Sequence, residues 1–280
     1  MAIQVRVKEY IMAMNIDSSY INAYNINSVS ASSIEKLSSG LAINKASDDA
    51  SGLAIADKLG VQKSSLAQSV ENTTSGIALA NIAQGGISNQ QNILEKISTL
   101  TLQAMNGTTS AEGRDAIAEQ IGKYIEQYDQ IANTTTYNGE QLLKTAGDST
   151  DDMSVVGQDA IVDISKADTT SISDSLKSFL NNFATDPNAR TSMLDAVNQG
   201  MTQLASYNSE YGSASNQLES MTRNYMTQET NTARAQSTIM DIDYSKEVSN
   251  FSKSNLLTQI GYLMQTQANA HQQRNIALLS

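Results

Sequence analysis

The sequence predicts a mainly α protein: long helical coiled-coil rods folded into an antiparallel bundle, with one small β-hairpin element. Three observations carry this. The 280 residues include a single proline, Pro187, so little interrupts long helices. Aromatic residues make up only 5%, with no Trp and three Phe. The apolar load is Ala, Ile, Leu and Met, which suits slender helix-on-helix seams better than a core built on large rings. Finally, Leu194, Val197, Met201, Leu204, Asn208, Tyr211, Ser215, Leu218, Thr222, Tyr225, Glu229 and Thr232 step alternately by three and four, the spacing of a coiled-coil seam.

The elements follow in order. Between Asn15 and Leu41, the residues Ile16, Tyr20, Ala23, Ile34 and Leu37 recur at helical spacing. They predict a weakly amphipathic helix, marginal alone. The stretch KLSSGLAINKASDDASGLAIADKL, from Lys36 to Leu59, breaks that pattern with glycines, a Ser pair and an Asp pair. Asp48 and Asp49 are placed to favour the N-terminus of the next helix through its macrodipole. That helix is expected from Gly52 to Met105, with Ile55, Leu59, Leu66, Ile77, Ala80, Ile87, Leu94 and Ile97 on a seam. Polar Gln62, Ser69, Thr73 and Gln90 take other seam positions, costing stability but fixing register.

Asn106-Gly107 signals a turn, and Thr109 with Glu112 suits a capping box. Ile117, Ile121, Tyr124, Tyr128 and Ile131 then give a heptad pattern. The short link folds this helix back antiparallel on the one before. Tyr137-Asn138-Gly139 reads as a turn and GDSTDD (147–152) as an acidic loop. Val155-Val156 and Ala160 to Ile164 around Gly157-Gln158-Asp159 read as a β-hairpin. A short helix capped by Ser171 and Asp174 presents Ile172, Leu176, Phe179 and Phe183. Thr185-Asp186-Pro187 is a helix start, opening a rod of ~50 residues, or ~75 Å. Asp241 to Leu279 is a last helix with Val248, Phe251, Leu256, Leu257, Ile260, Leu263 and Met264 on a broad apolar face.

Composition excludes several classes. A net charge of -11 argues against nucleic acid and anionic membrane surfaces, which need basic patches. Absence of cysteine removes disulfides, thiolate metal sites and a Cys nucleophile. No apolar run reaches the ~18 residues of a membrane span, and MAIQVRVKEYIMAMNID lacks the h-region and cleavage site of a signal peptide. The single histidine, His271, cannot build a two-histidine zinc motif. The acidic loop lacks calcium-hand spacing. No catalysis, cofactor or metal is therefore expected. Apolar faces at both ends of the chain point to burial between subunits.

Several motifs then carry a resemblance. Lys36-Leu37-Ser38-Ser39-Gly40-Leu41, Ile43-Asn44 and Asp48-Asp49-Ala50 resemble R-L-S-S-G-L-R-I-N-x-A-x-D-D-A-A-G of bacterial flagellin. Tyr137-Asn138-Gly139 with Leu142-Leu143 is similar to F-N-G-x-x-L-L. Asp241-Ile242-Asp243-Tyr244 and Glu247 to Ser252 resemble D-x-D-F-A-x-E-V-S-N-M-S, and Gln267-Ala268-Asn269 and Ile276-Ala277-Leu278-Leu279 the family's ending. The likeness covers nearly everything outside Ala146 to Asn198.

The resemblance implies a structural, self-polymerising filament subunit for swimming motility, in a short form without large outer domains. The terminal helices would form the filament core, through Ile16, Tyr20, Leu37, Leu41, Val248, Phe251, Leu256, Ile260, Leu263, Leu278 and Leu279. The connector between inner and outer layers would be Ser38, Ser39, Gly40, Ala42, Asn44, Asp48 and Asp49. The corresponding division is 1–44 and 239–280 for the core, 45–145 and 187–238 for the rods, and 146–186 for the variable region. The implied partners are further copies of the chain, the flagellar export apparatus and its chaperone, the filament cap and the hook-associated proteins. Export would follow the flagellar type III route without a cleaved signal, into an extracellular filament.

Three departures stand out. Ala42 replaces the family's Arg and loses its polar contact. Asn15-Ile16-Asp17-Ser18-Ser19 resembles the usual opening, so Met12 or Met14 is the expected start, Met1 to Ile11 as a real extension being the alternative. The pattern L-Q-R-V-R-E-L, read by Toll-like receptor 5, is degenerate at Leu94 to Leu100. Lys96, Ser98 and Thr99 replace two Arg and a Glu before Leu100, and Gln120 replaces a further Glu. A point charge replaces a planar bidentate donor, which implies weak or absent activation. The rival readings are a hook–filament junction protein, sharing end helices and export route, and a soluble signalling coiled coil with ordered termini.

Overall fold

A computed structural model describes residues 28–144 and 153–277. The chain divides into two compact units, Lys63–Thr230 and the pair Met1–Gln62 with Asn231–Ser280. Its elements are α1 over 28–39, α2 Ala50–Met105, α3 Ala111–Thr134, β1 Thr136–Tyr137, β2 Glu140–Gln141, β3 Met153–Val156, β4 Ile161–Ile164, α4 Thr170–Leu180, α5 Pro187–Met240 and α6 Tyr244–Ala277. The mainly helical expectation holds, as does the hairpin at Gly157. Ile16, Tyr20, Leu278, Leu279 and the GDSTDD loop lie outside the described residues.

Within Lys63–Thr230, α2 is the element the others share. Gln90 Nε2 donates to Tyr128 O, and the Lys96 ammonium stands 5.5 Å from the Tyr124 ring centroid. Positions rise on α2 as they fall on α3, so the two run antiparallel. The same holds against α5, where Thr222 Oγ1 donates to Thr73 Oγ1 at 2.8 Å and Gln84 Nε2 to Asn208 O at 3.3 Å. Thr73 thus pairs with a hydroxyl across the seam and Gln84 and Gln90 reach backbone carbonyls, which offsets their burial, while Gln62, expected on the seam, is exposed.

The buried seam runs through Leu66, Ala83, Ile87, Leu94 and Ile97 of α2, Ile117, Ile121 and Tyr128 of α3, and Val197, Leu204, Tyr211 and Leu218 of α5. On α3 the most buried positions include Ile125 and Ala132, while Tyr124 and Ile131 flank them. The heptad expectation missed this because α3 packs on α4 as well as α2: Lys177 of α4 reaches Asp129 at 2.5 Å. A second neighbour widens and rotates the buried stripe.

Two helix starts fall ahead of or behind their expected place, α3 by one residue and α4 by two. Thr109 Oγ1 is spent on Gln103 O at 2.8 Å, so Ser110 caps α3 by accepting from Gly113 N. Asp168 Oδ1 accepts from both Thr170 N and Thr170 Oγ1, which starts α4 ahead of Ser171. The α5 start stands as expected, with Asp186 Oδ1 accepting from Asn188 N at 2.8 Å.

A buried polar network ties the loops to the rods. Gln90 Nε2 donates to Thr169 Oγ1, which donates to Leu143 O. The Tyr211 hydroxyl accepts from Ala167 N at 3.1 Å and donates to Leu142 O at 3.4 Å. β3 and β4 pair antiparallel from Met153↔Ile164 to Val156↔Ile161. Asn72 Nδ2 holds Val156 O at 2.9 Å, docking the hairpin on α2.

The connector and the unpartnered helical face

In the unit formed by the two ends, α1 stops at Gly40. Its φ of +74° is a left-handed helix exit that side-chain-bearing residues resist, and its N–H still closes on Lys36 O at 2.9 Å. The backbone then forms an antiparallel bridge, Leu41 with Asp241. Ala42 N donates to Met240 O at 2.6 Å and Ile242 N to Gly40 O at 3.1 Å. The two helix breaks, at Gly40 and after Met240, satisfy each other's backbone groups.

Side chains finish the connector. Ser39 Oγ accepts from Leu41 N at 3.2 Å, and Asn44 Nδ2 donates to Leu41 O at 3.3 Å. Ser38 is exposed, while Leu37, Leu41 and Ala42 are half-buried. Asp49 caps α2, Oδ1 accepting from Ser51 N and Gly52 N at 3.0 and 2.9 Å. Asp48, two residues before α2, makes no cap bond of its own to that helix. Its Oδ2 accepts from Asn44 N and Lys45 N, closing the turn before the helix. Those backbone donors, Asn44 N first, hold its carboxyl below the usual range. Lys45 pairs with Glu35 at 2.7 Å, which raises the lysine. The α2 seam resumes at Ala56, 1% exposed, rather than Ile55, 49% exposed. Gln236 Nε2 of α5 donates to Ala56 O there, so the helix turns that face inward. Asp243 Oδ1 accepts from Lys246 N to start α6.

α6 then presents its apolar residues to solvent. Leu263 is 69% and Leu256 59% exposed, and Val248, Leu257, Ile260, Tyr262 and Met264 are exposed with them. Phe251 is half-buried. These residues spread over a broad arc of the helix, and so wide an exposed apolar surface marks a face that is covered in an assembly.

On α2, Leu94 and Ile97 are fully buried and Leu100 half-buried. Lys96 and Thr99 are exposed, Ser98 is half-buried, and Gln120 is exposed on α3. His271 is exposed. Among the described residues no group of three or more His, Cys, Asp or Glu is placed to hold a metal, and no helix is long and apolar enough to cross a membrane.

The sequence reading does not foresee the Leu41–Asp241 bridge. Its partners are backbone atoms about 200 positions apart, and the only sequence signal was that both lie at helix breaks.

Long paired helices ending in an apolar helix turned to solvent define a structural subunit of an assembly. The bacterial flagellin N-terminal helical region matches residues 7–148 and the C-terminal helical region residues 194–279. The chain belongs to the bacterial flagellin family. The flagellin of Bacillus subtilis is 32% identical over 90% of this chain and 93% of its own. The crystal structure of Bacillus cereus flagellin, 24% identical, superposes with a TM-score of 0.50 over 59% of this chain and 94% of its own. A Vibrio parahaemolyticus protein described as flagellar hook-associated, 14% identical, gives 0.63 over 69% and 100%. That likeness speaks to fold alone. The chain is a structural subunit that polymerises into the bacterial flagellar filament, the extracellular organelle of swimming motility.

Proposed function

We propose that the two ends of the chain form the inner core of the filament, and that Gly40 and its surroundings join this layer to an outer one. The exposed apolar side of α6 carries this reading. Ile16, Tyr20, Leu37, Leu41, Val248, Phe251, Leu256, Ile260, Leu263, Leu278 and Leu279 pack against neighbouring copies. Repeated head-to-tail contacts that do not close into a ring give an open helical polymer. Residues 1–44 and 239–280 act as core, 45–145 and 187–238 as rods, and 146–186 as the variable segment. The chain works as a building element and carries no catalysis.

The same reading assigns its route. The subunit leaves by the flagellar type III export apparatus, escorted by a chaperone, and adds beneath the filament cap onto hook-associated proteins. Lys96, Ser98, Thr99 and Gln120 leave the receptor-recognition surface without its planar cations, so Toll-like receptor 5 responds weakly or not at all. Support comes from the Lys96 ammonium being held over Tyr124, where a solvent-facing fork would be needed.

Purified protein, seeded with sheared filament or salted out and imaged by electron cryomicroscopy, is expected to give long helical filaments. Short caps or discrete junction complexes would favour a hook-associated role instead. A reporter assay with monomer tests the receptor reading, and a robust response overturns it.

A further inference from the structure

We propose that Asn106 is a self-modification site, where the chain's own backbone converts the side-chain amide to an acid through a five-membered succinimide. Asn106 and Gly107 form the exposed turn between α2 and α3. Asn106 Oδ1 accepts two hydrogen bonds, from Thr108 N at 3.2 Å and from Thr108 Oγ1 at 3.1 Å. Both donors sit at the oxygen where negative charge develops when a nucleophile adds to Cγ, and they are fixed there in advance. The nucleophile is the next backbone nitrogen, held close by covalent connection. The Gly107 N–H has no acceptor among the described residues, and nothing stands within 4 Å of the position a Cβ would take.

The step balances without a co-reactant beyond water. Gly107 N gives up its proton to solvent and bonds to Asn106 Cγ. The Cγ–Nδ2 bond breaks and the nitrogen departs as ammonia. Water then opens the ring at either carbonyl, leaving aspartate or its β-linked isomer. Either product puts a carboxylate at the negative end of the α2 dipole, which is unfavourable. The β-linked product also lengthens the backbone between α2 and α3 by one carbon. Neither reverts to the amide, so the converted fraction records the age of a subunit.

The chain contains its own control. Asn138-Gly139 is its other Asn-Gly pair, and it is also exposed. There both residues are locked at positive φ, 50° and 85°, in a two-residue turn closed by the Tyr137↔Glu140 pair. Among the described residues no donor reaches the Asn138 side-chain oxygen.

The test is peptide mapping by mass spectrometry after timed incubation of the full-length protein at mildly alkaline pH. Conversion at Asn106 is expected ahead of Asn138, with two chromatographic products of equal mass. Thr108→Val keeps shape and backbone donor but removes the hydroxyl. It should slow conversion about fivefold, the worth of one hydrogen bond of ~1 kcal/mol. Gly107→Ala, whose Cβ meets nothing, should slow it further by crowding the attack, with circular dichroism confirming an unchanged fold. Equal or faster conversion at Asn138, or an unchanged rate in Thr108→Val, overturns the proposal.

Discussion

The Tyr244 hydroxyl lies 3.0 Å from the point where a Cβ on Gly40 would sit, so the first residue of α6 closes over the exit of α1. Gly40→Ala meets two obstacles there. Its φ of +74° strains any L side chain by about 1–2 kcal/mol, and the new methyl presses on the phenol. Tyr244 is half in solvent and can yield, so the strain term dominates. The expected loss is about 1–2 kcal/mol in urea unfolding, with only a small part recovered in the Gly40→Ala, Tyr244→Ala double variant. Full recovery would mean the clash, not the backbone, is what matters.

Two glycines of α2 should respond in opposite directions to the same substitution. A Cβ at Gly76 would fall 2.6 Å from Val155 Cγ2 and 2.9 Å from Leu218 Cδ1, whereas one at Gly85 meets nothing within 4 Å. Gly85→Ala should stabilise by roughly 0.5–1 kcal/mol through helix propensity. At Gly76 the same gain opposes overpacking of about 1–3 kcal/mol, so the net is destabilising. Shortening the hairpin side chain with Val155→Ala should relieve it non-additively. Denaturant midpoints of the four variants check both signs.

These positions also mark what the sequence could and could not convey. The rods were legible because apolar residues repeat over many turns, so a local error at Ile55 or Tyr124 leaves the element intact. The β3–β4 hairpin was legible from β-branched residues around a glycine turn. Gly40 was legible as a break, since a helix exit needs positive φ. The pairing of Gly40 to Ala42 with Met240 to Ile242 was not, because backbone groups make it and no side chain announces it. The starts of α3 and α4 shifted by one and two residues because neighbouring Ser, Thr and Asp side chains compete for the same role, and tertiary placement decides between them. The exposed apolar residues of α6 were legible as an apolar face, but the width of the arc left exposed required the packed rods for contrast.

Alkali should loosen the rods through their buried tyrosines. Burial pushes the Tyr211 phenol up to about 12 from its ordinary 10, against the pull of the Ala167 N–H, and burial raises Tyr128 too. A phenol ionises more readily in the unfolded chain than in this fold. Its contribution is therefore complete below pH about 10 and lost as pH climbs toward about 12. Tyr211→Phe should flatten that decline without abolishing it, since Tyr128 remains. At neutral pH it should cost about 0.5–1.5 kcal/mol, because the buried Ala167 N–H loses one of two acceptors and keeps Leu142 O at 3.3 Å. Unfolding at pH 8 and pH 11 separates the two effects, and a decline of equal slope in the variant would exclude Tyr211 as a cause.

Leu263 separates subunit stability from assembly. At 69% exposure it contributes little to the lone chain, so Leu263→Ala should leave the unfolding midpoint within the ~0.5 kcal/mol range of surface changes. Covered by a neighbouring copy, the same side chain is worth about 1.5–3 kcal/mol. Most of that is lost with the alanine. At 1.4 kcal/mol per factor of ten, the concentration needed for seeded growth should rise about tenfold or more. Leu263→Met keeps apolar volume and should grow nearly as the parent does. Turbidity and sedimentation against concentration give both numbers on one preparation. An unchanged threshold for Leu263→Ala would take this side chain out of the filament core and leave the burden on Leu256 and Ile260.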